Sequence, residues 1–218
     1  MSYQIILTAN NSKMLKTMKA HPELEIRVIS MPCLITCPFA CKCKFGCYAT
    51  SGKQGMPNCV RAYLENLDMV RRGDFFPQLR AELEMYRIQA KRKGVTPYVR
   101  IHDSGDFVDE EYLDNWLELM RDFPDINFYA YTKCVQWFED RRYKPDFPDN
   151  FGFIYSFGGT QDDIISAKYD SHAHVIGKND TLPLGYVDAS HSEYPALSGE
   201  RRIVLRYHGS KAGEFKTI

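Results

Sequence analysis

Residues 98–132, YVRIHDSGDFVDEEYLDNWLELMRDFPDINFYAYT, contain one complete unit of an α/β sheet. Tyr98–His102 is rich in β-branched and aromatic residues, and it runs into the turn sequence Asp103-Ser104-Gly105-Asp106. Asp109 is placed to cap a helix that continues to about Arg121. On that helix Tyr112, Leu113, Trp116, Leu117 and Met120 recur at helical spacing and predict a buried face. Pro124 stops it, and Ile126–Tyr131 reads as the next strand, ending at Thr132-Lys133-Cys134. Strand, helix and strand in this order predict a parallel pair with a right-handed crossover.

The same alternation extends in both directions. Downstream, Val135–Arg142 reads as a helix and Phe151–Phe157 as a strand ending at Gly158-Gly159. Upstream, Gln4–Thr8 and Glu25–Ser30 read as strands around a short helix over Lys13–Ala20. Asn58–Arg72 predicts a helix with Val60, Tyr63, Leu64, Leu67 and Val70 on its inner face. A second helix is expected over Pro77–Lys93, with Lys91, Arg92 and Lys93 in its last turn and Gly94 as its stop. Beyond residue 160 the pattern changes. Ala173–Ile176, Leu184–Val187 and Arg202–Tyr207 read as strands linked by turns. The expected fold is therefore α/β, a partial (β/α) barrel-like parallel sheet with a β-rich C-terminal extension. The whole is one domain, with its core over about 1–160 and the extension over about 161–218. At 218 residues the chain falls short of the larger barrel domains.

Composition narrows the function classes. Lys+Arg and Asp+Glu both number 28, so net charge gives no bulk case for nucleic acid or an anionic membrane surface. No apolar run has the length of a membrane span, and the first residues lack the basic and apolar regions of a signal peptide. The expectation is a cytoplasmic protein with reduced thiols. Seven cysteines are present, and five of them, Cys33, Cys37, Cys41, Cys43 and Cys47, fall within fifteen residues. In a reducing compartment that crowding points to metal rather than disulfides.

Soft metals take thiolate, and a short loop can wrap several thiolates around one face of a cluster. Lys42 and Lys44 would favour the anionic sulfur. Structural zinc sites pair cysteines as C-x2-4-C with a distant second pair, whereas no C-x2-C occurs here. Zinc remains an alternative because His172 and His174 are available as distant ligands. Free buried cysteine is the plainest alternative for any one thiol, and it is the preferred reading for Cys59 and Cys134.

A strand leading into a cysteine loop that ends Cys47-Tyr48-Ala49 resembles the first loop of radical S-adenosylmethionine enzymes. That resemblance implies three cysteines on a [4Fe-4S] cluster, with an aromatic residue beside the last. The chain also resembles a group of phage-encoded proteins. The match rests on Thr36-Cys37-Pro38, Cys43, Cys47-Tyr48-Ala49, Arg100–Phe107 and Phe128–Lys133, over roughly residues 30 to 135. It implies an architecture rather than a reaction, and host cytoplasm as the location. The common radical-enzyme spacing is C-x3-C-x2-C. Cys37-x3-Cys41 satisfies its first half, but position 44 is Lys44. The phage resemblance favours Cys37, Cys43 and Cys47 as ligands, with Cys41 or Cys33 as a fourth. Three protein ligands leave an iron open for S-adenosylmethionine; four imply redox transfer or a structural role.

If the sheet is parallel, the cysteine loop, His102–Asp106 and Thr132–Cys134 share the edge where ligands of such sheets bind. By resemblance Ser104, Gly105 and Asp106 hold the amino group of the cofactor. His102 is a candidate proton donor, ligand or cluster neighbour, and Lys133 a point charge for a carboxylate or phosphate. An ordinary turn with a satisfied histidine, and a solvated strand-end lysine, are the bland readings of the same residues. Phe157-Gly158-Gly159-Thr160 resembles a phosphate-approaching turn only weakly. The expected partners are an unidentified substrate and an electron donor or reductase.

Overall fold

The computed structural model describes residues 5–8, 12–50 and 52–207. Seven strands form one sheet: β1 (Leu24–Val28), β2 (Thr96–Ile101), β3 (Asn127–Thr132), β4 (Phe151–Ser156), β5 (His172–Ile176), β6 (Val187–Asp188) and β7 (Arg202–Arg206). Their order is β1-β2-β3-β4-β5-β7-β6, and every pair is parallel. The result is the partial barrel expected from the sequence.

Helices α2 (Pro57–Arg72), α3 (Phe75–Lys93), α4 (Glu110–Asp122) and α5 (Val135–Glu139) supply the crossovers. The cap on α4 is as read: Asp109 accepts from Tyr112 N at 2.8 Å. Gly94 ends α3 in the left-handed conformation, where its N–H returns to Ala90 and Lys91 carbonyls. These helices cover the outer face of the sheet. There Trp116, Phe75, Leu79, Leu83, Phe128 and Phe138 are buried in one apolar cluster. Each such side chain contributes roughly 1.5–3 kcal/mol by leaving water.

The β-rich extension expected after residue 160 is the continuation of the main sheet: β5, β7 and β6 run parallel to the strands before them. Their connections are short, a 3₁₀ turn at Asp162–Ile164 and a four-residue helix α6 (Tyr194–Leu197), so helical periodicity never develops. The strand read at Leu184–Val187 is β6 at Val187–Asp188, because Pro183 opens a turn closed by Tyr186 N on the Pro183 carbonyl. On α2, Val60 and Leu64 are exposed while Asn66 is buried. The Asn66 amide binds the Ser30 carbonyl at 2.9 Å, so a polar contact sets which side of that helix turns inward.

The N-terminal strand is reduced to one antiparallel bridge, Thr8 with Val28, and Gln4 lies outside the described residues. Helix α1 (Ser12–Ala20) follows. It packs Met14 against the inner face of the sheet, beside Ile26, Val28, Tyr129 and Tyr131.

Candidate metal centre

Parallel strands place their following loops on one edge, and hydrogen bonds tie those loops together. The cysteine loop leaves β1 and is stitched to the loop after β2: Met31 N donates to Ser104 O, Asp103 N to Ile29 O and Asp106 N to Thr36 O, at 2.8–3.1 Å. Gly105 adopts φ +84°, and a Cβ there would lie 2.5 Å from Thr36 Oγ1 and 2.8 Å from Met31 Cβ. Its missing side chain therefore admits the cysteine loop itself.

Asp106 is fully occupied by protein. Its carboxylate accepts from Phe107 N at 2.9 Å, Thr132 Oγ1 at 2.8 Å and Lys133 N at 2.8 Å. Burial pushes its carboxyl above the usual range even so. It braces the end of β2 against the end of β3.

The far side of the loop docks on the end of β4. Cys41 N and Cys43 N both donate to Gly158 O, and Ala40 bridges Gly159. Asp162 holds that turn by accepting from the Gly158 and Gly159 amides, each at 2.9 Å. The glycine pair is thus a seat for the cysteine loop, with its amides already engaged. Two non-glycine residues at this edge, Leu34 (φ 66°) and His102 (φ 60°), occupy the left-handed region. Such backbone costs about 1–3 kcal/mol and clusters at functional sites.

Within this frame the thiols of Cys33, Cys37, Cys43 and Cys47 are electrostatic neighbours of one another. The Cys33 thiol donates to Cys47 Sγ and holds the Cys47 thiol down at about 6, while the same contact raises Cys33. Burial, with Asp106 nearby, pushes the Cys37 thiol up to about 12, and burial raises Cys43. The Lys133 ammonium favours thiolate at both Cys43 and Cys47, and Lys133 Nζ is steadied by Ser156 Oγ at 2.7 Å.

Most of the remaining candidates fall elsewhere. Cys41 is exposed. Cys134 is buried, with Sγ 3.7 Å from the Phe107 carbonyl, and Cys59 is half-buried on α2. The His102 ring points to the helix side, where Nε2 meets Tyr112 Oη at 3.1 Å beside Phe107; burial lowers it to about 3. Ser104 is buried next to Cys33. His172 spends both ring nitrogens on the Asp170 carbonyl and Tyr186 Oη, and His174 stacks on Phe157.

Among the described residues no three His, Cys, Asp or Glu side chains are grouped as a single metal ion requires. A cluster holds its thiolates further apart than one ion does, and an all-sulfur donor set with a lysine beside it fits such a group. Ser156 and Asp162 carry the site without having stood out in the sequence. Ser156 is marked only by closing β4, and Asp162 only by following the Gly158-Gly159 turn.

Fold and site together define a parallel α/β half-barrel protein with a cysteine loop seated across the carboxyl ends of its strands. The chain belongs to the gene product 88 family, whose profile matches residues 5–214. It is 30% identical over 102 residues to the Gene 88 protein of Mycobacterium phage D29, an alignment that covers 45% of this chain and 42% of that protein. The Gene 88 protein of Mycobacterium phage L5 is likewise 30% identical over 102 residues, covering 45% and 43%. The chain thus matches less than half the length of these curated relatives. No solved structure matches it. No helix among the described residues is long and apolar enough to cross a membrane.

Proposed function

We propose that the loop holds a [4Fe-4S] cluster on Cys37, Cys43 and Cys47, and that the protein is an enzyme of the radical S-adenosylmethionine type. One observation carries the reading: thiols from a single loop share one neighbourhood with Lys133 at the ligand-binding edge of a parallel half-barrel. When bound, such a cluster supplies one electron at a time and needs an electron donor. Of the residues read as cofactor-binding, Ser104 and Lys133 lie beside the thiols. Gly105 and Asp106 act behind them, fixing the loop, and His102 supports the core. The phage relatives support host cytoplasm as the place of action.

A second reading, a redox or structural cluster without S-adenosylmethionine, is favoured by Cys33. Its sulfur lies against Cys47 and could complete a four-thiolate set. Anaerobic purification with iron and sulfide analysis tests both readings: about four of each per chain are expected. Cys37→Ser, Cys43→Ser and Cys47→Ser should each lose most of the iron, whereas Cys41→Ser should keep it. Retention in Cys33→Ser, with a reduced-cluster spectrum that changes on adding S-adenosylmethionine, supports the enzyme. Iron loss in Cys33→Ser with an unchanged spectrum supports the second reading. A colourless, iron-free protein from anaerobic cells overturns both.

A further inference from the structure

Beneath the cysteine loop, the inner face of the sheet buries a group of polar side chains that a cluster would not use. Arg100 on β2 and Tyr129 on β3 are partners in register, and Tyr131 follows on the same face. The Arg100 guanidinium lies over the Tyr131 ring, 5.0 Å from its centre. Glu193, just before α6, reaches across to Arg100 Nη1 and accepts from Lys13 Nζ of α1 at 2.8 Å. Asp103 lies 3.6 Å from Arg100 Nη2. Tyr48, the neighbour of Cys47, donates to the Asp103 carbonyl and so joins this group to the cysteine loop.

Arg100, Tyr129, Tyr131 and Glu193 are each at least nine-tenths buried. Yet Arg100 Nε, Tyr129 Oη, Tyr131 Oη and Glu193 Oε2 have no hydrogen-bond partner. Tyr129 and Glu193 are close neighbours. Folded proteins satisfy most such groups, and phenylalanine would fill either tyrosine position without leaving an orphan. Four spare atoms on adjoining side chains call for something to receive them.

Their chemistry restricts what that is. Lys13 and Arg100 balance Asp103 and Glu193, so the group is formally neutral. A ligand with net charge would leave one buried charge unpaired. One spare N–H and two hydroxyls can meet a carboxylate, and one spare carboxylate oxygen can accept from an ammonium. We infer that this inner-face group binds a small net-neutral zwitterion, an amino acid or the amino-acid end of a larger molecule. Its carboxylate lies on Arg100 Nε, Tyr129 Oη and Tyr131 Oη, and its ammonium donates to Glu193 Oε2. The inference stands on the inner face alone, whether or not the loop holds iron.

The test is ligand-observed NMR on the full chain with glycine, alanine, serine and methionine, each beside the matched carboxylic acid and the matched amine. At least one zwitterion should bind, and both of its one-charge analogues at least tenfold more weakly. Tyr131→Phe and Tyr129→Phe should fold and bind at least tenfold more weakly. No binding by any zwitterion up to about 10 mM, the weak limit for a small ligand, overturns the inference. Equal binding by the one-charge analogues, or full binding by both phenylalanine variants, also overturns it; the spare atoms would then hold water. If a variant fails to fold, the wild-type comparison of zwitterion with analogue still decides. Iron analysis on the same sample reports separately on the cluster.

Discussion

Against the outer face of the sheet, Trp116, Phe75 and Phe128 pack among apolar neighbours; against the inner face, Arg100 and Glu193 are buried just as deeply among charges. Orphan polar atoms exist on both sides. On the outer side they are scattered: Trp116 Nε1 and His102 Nδ1 are set in aromatic packing, and Arg27 Nε and Arg142 Nε belong to guanidiniums already paired with Glu25 and with Glu139 and Asp170. On the inner side four sit on adjoining side chains, two of them ionised. Burning stability on a charged interior is costly unless every charge is paired and bonded. The contrast gives the two faces different characters: the outer one is apolar packing, and the inner one carries, beside Met14, Ile26 and Val28, the polar group for which a ligand is inferred.

The largest effect should come from the outer face. Trp116→Ala removes a fully buried indole beside Phe75, Phe76, Tyr112 and Phe128. Loss of about 3–5 kcal/mol is expected from urea denaturation. A loss below 1 kcal/mol would mean that the outer layer is not what holds the sheet.

Gly105→Ala acts at the edge where the two faces meet. A methyl group would enter at 2.5 Å from Thr36 Oγ1, on a backbone at φ +84°. Destabilisation of about 1–3 kcal/mol is expected. Because the displaced partner is the cysteine loop, the iron content of anaerobic protein should fall with it. Full iron retention would show that Gly105 does not set the loop.

His102 offers a pH readout of the outer side. Burial lowers its imidazole from 6.5 to about 3, so the folded protein holds it neutral. Above pH 6.5 neither state is protonated there, and its contribution to stability is complete. As pH falls from 6.5 toward 3 the unfolded chain takes up the proton first, and stability drops by at most about 1.4 kcal/mol per pH unit from this group. His102→Asn removes the titration and tolerates the φ of 60° at this position better than most residues. Its stability should fall less steeply over that window than the wild-type value. Parallel curves would place His102 elsewhere than in the core.

The same contrast explains which parts of the molecule were legible in the sequence. The outer face was readable because it is built by periodicity: Tyr112, Leu113, Trp116, Leu117 and Met120 announce both a helix and its buried side. The loops at the strand ends were readable because Cys, Gly and Asp are dense there. Asp106 and Gly105 were found, and that they also fix the cysteine loop is something only hydrogen bonds and close approaches reveal. The strands β5 to β7 gave no parallel signal because short turns join them. Glu193 had none at all. It lies in an irregular segment and becomes important only because β2 brings Arg100 beneath it.

The smallest predicted change in stability is also the one that divides the two faces most sharply. Tyr131→Phe removes an oxygen that bonds to nothing in the protein and leaves the ring under the Arg100 guanidinium. For a side chain kept for packing, stability should stay within about 0.5 kcal/mol of wild type or rise, since a buried unsatisfied hydroxyl is unfavourable. Phe128→Ala on the outer face, with a ring of similar size buried three residues away on the same strand, should by contrast cost about 3–5 kcal/mol. If denaturation curves show Tyr131→Phe losing more than 1 kcal/mol, its hydroxyl is bonded within the fold. The inner face would then be a structural ion cluster like many others. If they coincide with wild type, the hydroxyl is held where the fold has no use for it, and the polar inner face needs a ligand to account for it.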